Sequence, residues 1–245
     1  MSNISIISLY GLFFGIIGTT LGGIIGAFLN IRTNKLLGFI LEFASGLMLA
    51  VTCFDLIPEA LEIGDLSICL LGIILGIILM IICNEFIKNI EKTNLKVNNN
   101  SILKTGLIVA IGLAIHNFPE GLAIGSGFEI SKSLGLKLAF AIAIHDIPEG
   151  LSISVPLKNG GESKIKSIMI TLFSGITTGL GAFIGSLIGN MSVLAICFSL
   201  SVAAGAMLYI VSCELIPESK KIYNGKFSSF GSIIGLITGL LAQNI

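Results

Sequence analysis

Two stretches of this chain carry one six-residue signature. The first is His116-Asn117-Phe118-Pro119-Glu120-Gly121; the second, 29 residues on, is His145-Asp146-Ile147-Pro148-Glu149-Gly150. His116 and His145 are the only histidines of the protein. Each has a Glu four residues later, and residues four apart share a helical face. A helix at either place offers an imidazole nitrogen and a carboxylate oxygen side by side. That donor set suits zinc and other first-row divalent ions, whereas calcium and magnesium favour oxygen alone. Asn117 and Asp146 follow one position later, about 100° round the helix. They can share Glu120 and Glu149 with the histidines, so two adjacent metal positions bridged by carboxylates are geometrically possible. One such pair alone is consistent with an ordinary helix contact. Its duplication, with Asn or Asp and Pro-Glu-Gly repeated, argues for metal.

The surroundings sharpen this reading. The 245 residues are 54% hydrophobic and 11% charged, with a mean hydropathy of +1.01. A soluble globular domain carries about 25% charged residues, so the chain reads as an all-α, multi-pass membrane protein with no soluble domain. No Lys or Arg lies within either signature. Glu120, Asp146 and Glu149, unpaired in lipid at about 2.5–3.5 kcal/mol each, would cost roughly 7–10 kcal/mol together. A divalent cation, protons or water must offset that charge. Pro119 and Pro148 lack an N–H, which frees the carbonyls of Ile115 and Ile144 and is expected to bend both helices. Those oxygens also need partners.

A spanning helix needs about 20 largely apolar residues. Eight spans are expected, at 5–29, 37–58, 66–86, 104–127, 133–156, 167–189, 192–215 and 228–244. The uncharged run 167–213 is too long for one helix and breaks at Gly189-Asn190-Met191-Ser192. The first apolar run lacks a basic start and is long enough to span, so no cleaved leader is expected. Lys and Arg divide unevenly among the loops. Twelve fall after spans one, three, five and seven, and only Lys132 and Lys137 fall on the other side. The positive-inside rule then places both termini outside. The polar loop 88–103, with Asn98-Asn99-Asn100, reads as a flexible cytoplasmic linker. Glu59, Glu62 and Asp65 form an outside loop, either a cation-attracting mouth or an ordinary solvated turn. Cys53, Cys69, Cys83, Cys197 and Cys213 sit in apolar stretches without paired spacing and read as small buried residues.

The sequence also repeats. At a shift of 159 residues, Gly46-Leu47-Met48-Leu49 meets Gly205-Ala206-Met207-Leu208. Asp55-Leu56-Ile57-Pro58-Glu59 meets Glu214-Leu215-Ile216-Pro217-Glu218, and Leu21 to Gly26 meets Leu180 to Gly185. Spans one to three thus resemble spans six to eight. Two spans intervene, so the second copy enters upside down, an inverted 3+2+3 arrangement of the kind found in secondary transporters.

With these residues in hand, the chain resembles the ZIP family of divalent-metal transporters, in particular its bacterial members. The resemblance covers nearly the whole chain and rests on the two signatures. It implies eight spans, outside termini in the cell membrane, and carriage of zinc, iron, manganese or cadmium toward the cytoplasm. It implies one metal position built from Met48, His116, Glu120, His145 and Glu149. Met48 is placed by Gly46-Leu47-Met48-Leu49-Ala50 and would otherwise read as core. A neighbouring position would use Asn117, Glu120, Asp146 and Glu149. Glu214 matches an acidic position near the cytoplasmic exit, faced by Asn84 or Glu85.

The chain departs from the family in three places. Many bacterial members carry Glu-Pro in span six where this chain has Thr178-Gly179, so the second position loses a carboxylate. The cytoplasmic loop lacks the family's histidine cluster. Cys213 precedes Glu214 where a His is often found. Partners expected are metal ions, the lipid bilayer and a second copy of the chain through glycine-rich faces, with no nucleic acid. Two rival readings, an intramembrane metal hydrolase and a non-transporting metal sensor, fit less well. A hydrolase needs a closed zinc set with an open water position, and a sensor needs an output domain.

Overall fold

Helix follows helix through the described residues. The computed structural model describes residues 3–28, 33–92 and 101–242, and every element within them is helical. Helix α1 spans Asn3–Phe28, α2 Asn34–Val51, α3 Ile57–Ile63, α4 Leu66–Lys92 and α5 Ser101–Ile130. Then come α6 Lys132–Asn159, α7 Lys164–Gly189, α8 Val193–Ile210, α9 Ile216–Ile222 and α10 Lys226–Ala242. The central part of the expected 88–103 linker, and the last residues of the expected final span, lie outside the described residues.

The helix starts follow local chemistry. Ser131, Ser163 and Ser192 each accept a hydrogen bond from a backbone N–H three residues on, opening α6, α7 and α8. The second and seventh expected spans run further than their apolar cores. Between α2 and α3 the chain widens into one π turn, Thr52–Leu56, and between α8 and α9 into another, Val211–Leu215. Pro58 and Pro217 then stand in the first turn of α3 and α9, directly after the π turns, whose wider winding makes room for a ring that cannot donate an N–H. So the chain stays helical to Ile63 and Ile222 rather than stopping near the prolines.

Six helical runs among the described residues are long and apolar enough to cross a membrane. They are Ile4–Phe28, Asn34–Ile63, Leu66–Phe86, Lys132–Asn159, Lys164–Gly189 and Val193–Ile222. Helix α10 is a shorter apolar helix, and the 30-residue α5 is not among the six. Leu70, Leu71, Ile74, Ile78 and Ile82 of α4 are exposed, as expected where a helix meets hydrocarbon.

The helices pack in two groups. Helices α1, α5, α6 and α7 pack on one another; α2 pairs with α10 and α4 with α8. Helix α2 meets α6, and α8 meets α5, across the boundary. Glycine makes the close approaches. A Cβ at Gly22 of α1 would stand 2.9 Å from Gly150 Cα of α6, and one at Gly181 of α7 would stand 2.9 Å from Gly121 Cα of α5. Gly22 and Gly181 are 159 residues apart, as are the two π turns and the ends of the helices that flank them.

Of the cysteines, Cys69 and Cys197 are buried, Cys83 is half-buried, and Cys53 and Cys213 are exposed. The last two correct the expectation of five buried cysteines. Each lies in a π turn, whose extra residue turns it off the packed face.

Candidate metal centre

Helices α5 and α6 lie against each other and carry the two signatures at mid-helix. Both stay helical through Pro119 and Pro148, with neither interrupted. Their packing brings the polar residues together in a way the i, i+4 spacing does not reveal. The histidine of each signature faces the glutamate of the other. His145 Nε2 lies 3.1 Å from Glu120 Oε1, and His116 Nε2 lies 3.8 Å from Glu149 Oε1. Asp146 Oδ1 adds a third contact, 3.7 Å from His145 Nε2.

Two donor groups result. One is His116, Glu120 and Glu149; the other is Glu120, His145 and Asp146. Within each, the ligand atoms lie within 4.8 Å of one another, and every member is buried. Glu120 belongs to both, so its carboxylate bridges the groups. Asn117 is oriented from α7, since its Nδ2 donates to the Ser174 carbonyl at 3.1 Å. That leaves Asn117 Oδ1 as the free end of the amide.

Much of this polar surface has no hydrogen-bond partner in the protein. His116 Nε2, Asn117 Oδ1, Glu120 Oε2, His145 Nδ1, both oxygens of Asp146 and both of Glu149 are buried without one. Buried polar groups are otherwise nearly always satisfied. Carboxylates crowded together in this way repel, and their common remedy is a cation. Nitrogen and oxygen donors converging on one point fit a first-row divalent ion.

The remaining expected residues fall in different places. Glu214, in the π turn after α8, puts Oε2 3.9 Å from His116 Nδ1 and is 25% exposed. The group near which an exit contact was expected therefore stands beside the centre itself. Met48 is fully buried in the core formed with Val51, Met207 and Ile210. Asn84 donates to the Tyr209 hydroxyl at 3.0 Å, and Glu85 is exposed. Thr178 is buried, with its Oγ1 unpartnered. Its Cβ and Oγ1 abut Gly15 of α1, while its carbonyl faces Gly121.

Sequence reasoning missed two polar pairs. Glu42 of α2 pairs with Lys220 of α9 at 2.8 Å, and Asp55 pairs with Lys137 of α6 at 2.8 Å. A carboxylate inside an apolar span was the available signal for Glu42.

A helical membrane protein with a buried cluster of His and carboxylate donors between two of its helices belongs to the class of integral metal-handling proteins. Comparison with known proteins narrows that class. The family described as ZIP zinc transporter matches residues 94–243. The zinc transporter ZupT of Stenotrophomonas maltophilia (strain R551-3) is 31% identical over 239 residues, covering 91% of this chain and 89% of the relative. ZupT of Campylobacter jejuni subsp. jejuni serotype O:2 is 31% identical over 267 residues, covering 93% and 92%. ZupT of Escherichia coli O7:K1 is 32% identical over 229 residues, covering 86% and 88%. The chain belongs to the ZIP family, a family of transporters and not of enzymes. It is a multi-pass membrane protein.

Proposed function

We propose that this chain takes up divalent metal ions, zinc foremost, and passes them to the cytoplasm through the centre between α5 and α6. The observation that carries the reading is the reciprocal pairing of His116 with Glu149 and His145 with Glu120, amid buried ligand atoms left without partners. The zinc transporters to which the chain is similar support zinc as cargo. The same donors also accept cadmium, iron and manganese.

In this reading the first position holds metal through His116, Glu120, Glu149 and His145, with Met48 of α2 as a soft neighbour. The second uses Asn117, Glu120, Asp146 and Glu149. Thr178 stands where a carboxylate would complete it, so the second position is the weaker. Metal leaves past Glu214, with Asn84, Glu85 and Cys213 along the path. The path would thus use spans two, four, five and seven.

Eight spans in an inverted 3+2+3 arrangement, with both termini outside, are part of the same proposal. It is supported by the π turns and glycine contacts that recur 159 residues apart, and by the distribution of Lys and Arg. Helices α1, α5, α6 and α7 would move as a body against the rest, giving alternating access. A pair of chains would associate through glycine-rich faces.

The test is uptake of zinc, cadmium, iron and manganese into proteoliposomes, with Glu120→Ala/Glu149→Ala as control. Saturable zinc uptake that the control lacks supports the proposal. Zinc binding without uptake refutes transport and leaves a sensor. Absence of both refutes the metal centre.

A further inference from the structure

Outside the metal centre the described residues include two shielded acid–base pairs, and they differ in what they join. Glu42 is 2% exposed and accepts from Lys220 Nζ at 2.8 Å, from Ser219 Oγ at 2.9 Å and from Ser232 Oγ. These residues lie on α2, α9 and α10, which pack in one group of helices. That carboxylate is surrounded by donors and acts as a fixed joint.

Asp55 and Lys137 are placed otherwise. Lys137 Nζ lies 2.8 Å from Asp55 Oδ1. Asp55 is 8% exposed and sits in the π turn after α2. Lys137 is on α6, eight residues before His145, so about two helical turns separate it from the metal centre. The pair therefore ties the metal-bearing group of helices to the other group. The acidic side is reinforced, because Glu59 of α3 also interacts electrostatically with Asp55, Glu62 and Lys137. The lysine side is 36% exposed. Water can take over its ammonium when the two groups part, whereas the Glu42 carboxylate is held by Ser219 and Ser232 as well as by Lys220, all within one group of helices.

We propose that Lys137 and Asp55 form a latch that holds the Lys137 end of α6 against α2 and keeps the approach to the metal centre shut on that side. The proposal rests on the transport reading above for its purpose but not for its test. With the pair intact, α2 packs against α6, and along the α6 face that carries Lys137, Ala141 and His145 the first two are partly exposed and His145 is fully buried. With the pair broken, the approach opens and the half-buried Ala141, one turn before His145, becomes more accessible.

The experiment measures the rate at which a polar thiol reagent labels Ala141→Cys in detergent-solubilised protein. Cys53→Ser and Cys213→Ser remove the two exposed thiols, and the same protein without Ala141→Cys sets the background. Lys137→Gln is expected to speed labelling about fivefold, the scale of a partly exposed ion pair acting on a two-state equilibrium. Asp55→Asn should speed it less, since Glu59 still attracts Lys137. The exchanged pair, Asp55→Lys with Lys137→Asp, should return the rate toward the parent's, and Lys137→Arg should leave it unchanged. Equal rates in the parent and Lys137→Gln overturn the latch. So does faster labelling that the exchanged pair fails to slow, because that marks general loosening. Zinc binding is measured on the same samples. Retained binding with unchanged labelling overturns the latch alone, whereas absent binding in the parent overturns the metal reading instead.

Discussion

Glu120→Gln is the substitution that asks most of the metal centre. Glu120 is the one residue common to both donor groups, and it is fully buried. Its Oε1 lies 3.1 Å from His145 Nε2, while Oε2 has no partner. Glutamine has nearly the same volume, so packing is preserved and only the charge and one ligand oxygen are lost. Removing a group that merely orients a ligand typically lowers metal affinity about 10–100-fold. Removing a ligand that bridges two positions should exceed that, so a fall of at least about 100-fold is expected at both positions. Asp146→Asn touches only the group that contains His145, and zinc should still bind at the group built on His116.

Stability gives an independent sign. Without metal, Glu120 is one of several crowded carboxylates and opposes folding by about 2.5–3.5 kcal/mol if it carries charge in the membrane centre. Glu120→Gln should therefore melt higher than the parent in chelator. With zinc at about 100 times its dissociation constant the parent should gain about 2.7 kcal/mol, and the variant almost nothing. The assay is zinc titration of purified protein, with melting recorded in chelator and in zinc. A variant that keeps the parent's stoichiometry, and its affinity within about threefold, would refute the bridging role. So would an equal rise in melting temperature on adding zinc to both proteins.

Three further outcomes are expected. Gly121→Ala places a Cβ 2.8 Å from Ala182 N and Gly181 Cα, so α5 and α7 must separate, and thermal unfolding should show a loss of about 1–3 kcal/mol. Glu42→Gln leaves Lys220 without its carboxylate near the ends of α2, α9 and α10. A melting shift equivalent to about 2–3 kcal/mol is expected there, less than for a fully enclosed pair because Lys220 is partly exposed. Thr178→Glu supplies the carboxylate that the second position lacks, so zinc titration should show a second or tighter zinc, at some cost in melting temperature because the Thr178 Cβ already stands against Gly15. No gain in stoichiometry or affinity would refute the role given to Thr178.

Much of this was legible in the sequence because the strongest signals are local. Apolar length set the helices, and α6 runs over Lys132–Asn159 where 133–156 was expected. The paired signatures pointed to the donor residues because His, Glu and Asp are so costly in lipid. What was not legible depends on neighbours distant in the chain. Residues on one helix can be assigned to a face, but the partner across that face is set by how α5 and α6 cross. Hence the reciprocal pairing of His116 with Glu149 and His145 with Glu120 emerged only from packing. Glu42 finds Ser219 and Ser232 at separations of 177 and 190 residues, which no periodicity reports. The expected spans 37–58 and 192–215 end short because the π turns at Thr52–Leu56 and Val211–Leu215 let the helix continue past them.

Under the transport reading proposed above, the division of donor residues between helix groups has a consequence for release. A structural zinc site encloses its ion with ligands fixed relative to one another. Here the reciprocal His and Glu pairs stand together on α5 and α6, whereas Glu214 reaches His116 from the π turn after α8, in the other group. Any displacement between the groups leaves the α5–α6 donors intact and changes the distance to Glu214. A conformational equilibrium responds to a ligand only through its difference in affinity for the two states. Glu214 and the Asp55–Lys137 contact both span the boundary, one beside the metal and one about two turns from it along α6. Metal occupancy and closure of the approach can thus be coupled through residues that each group supplies in part, with no ligand inside α5 or α6 having to rearrange.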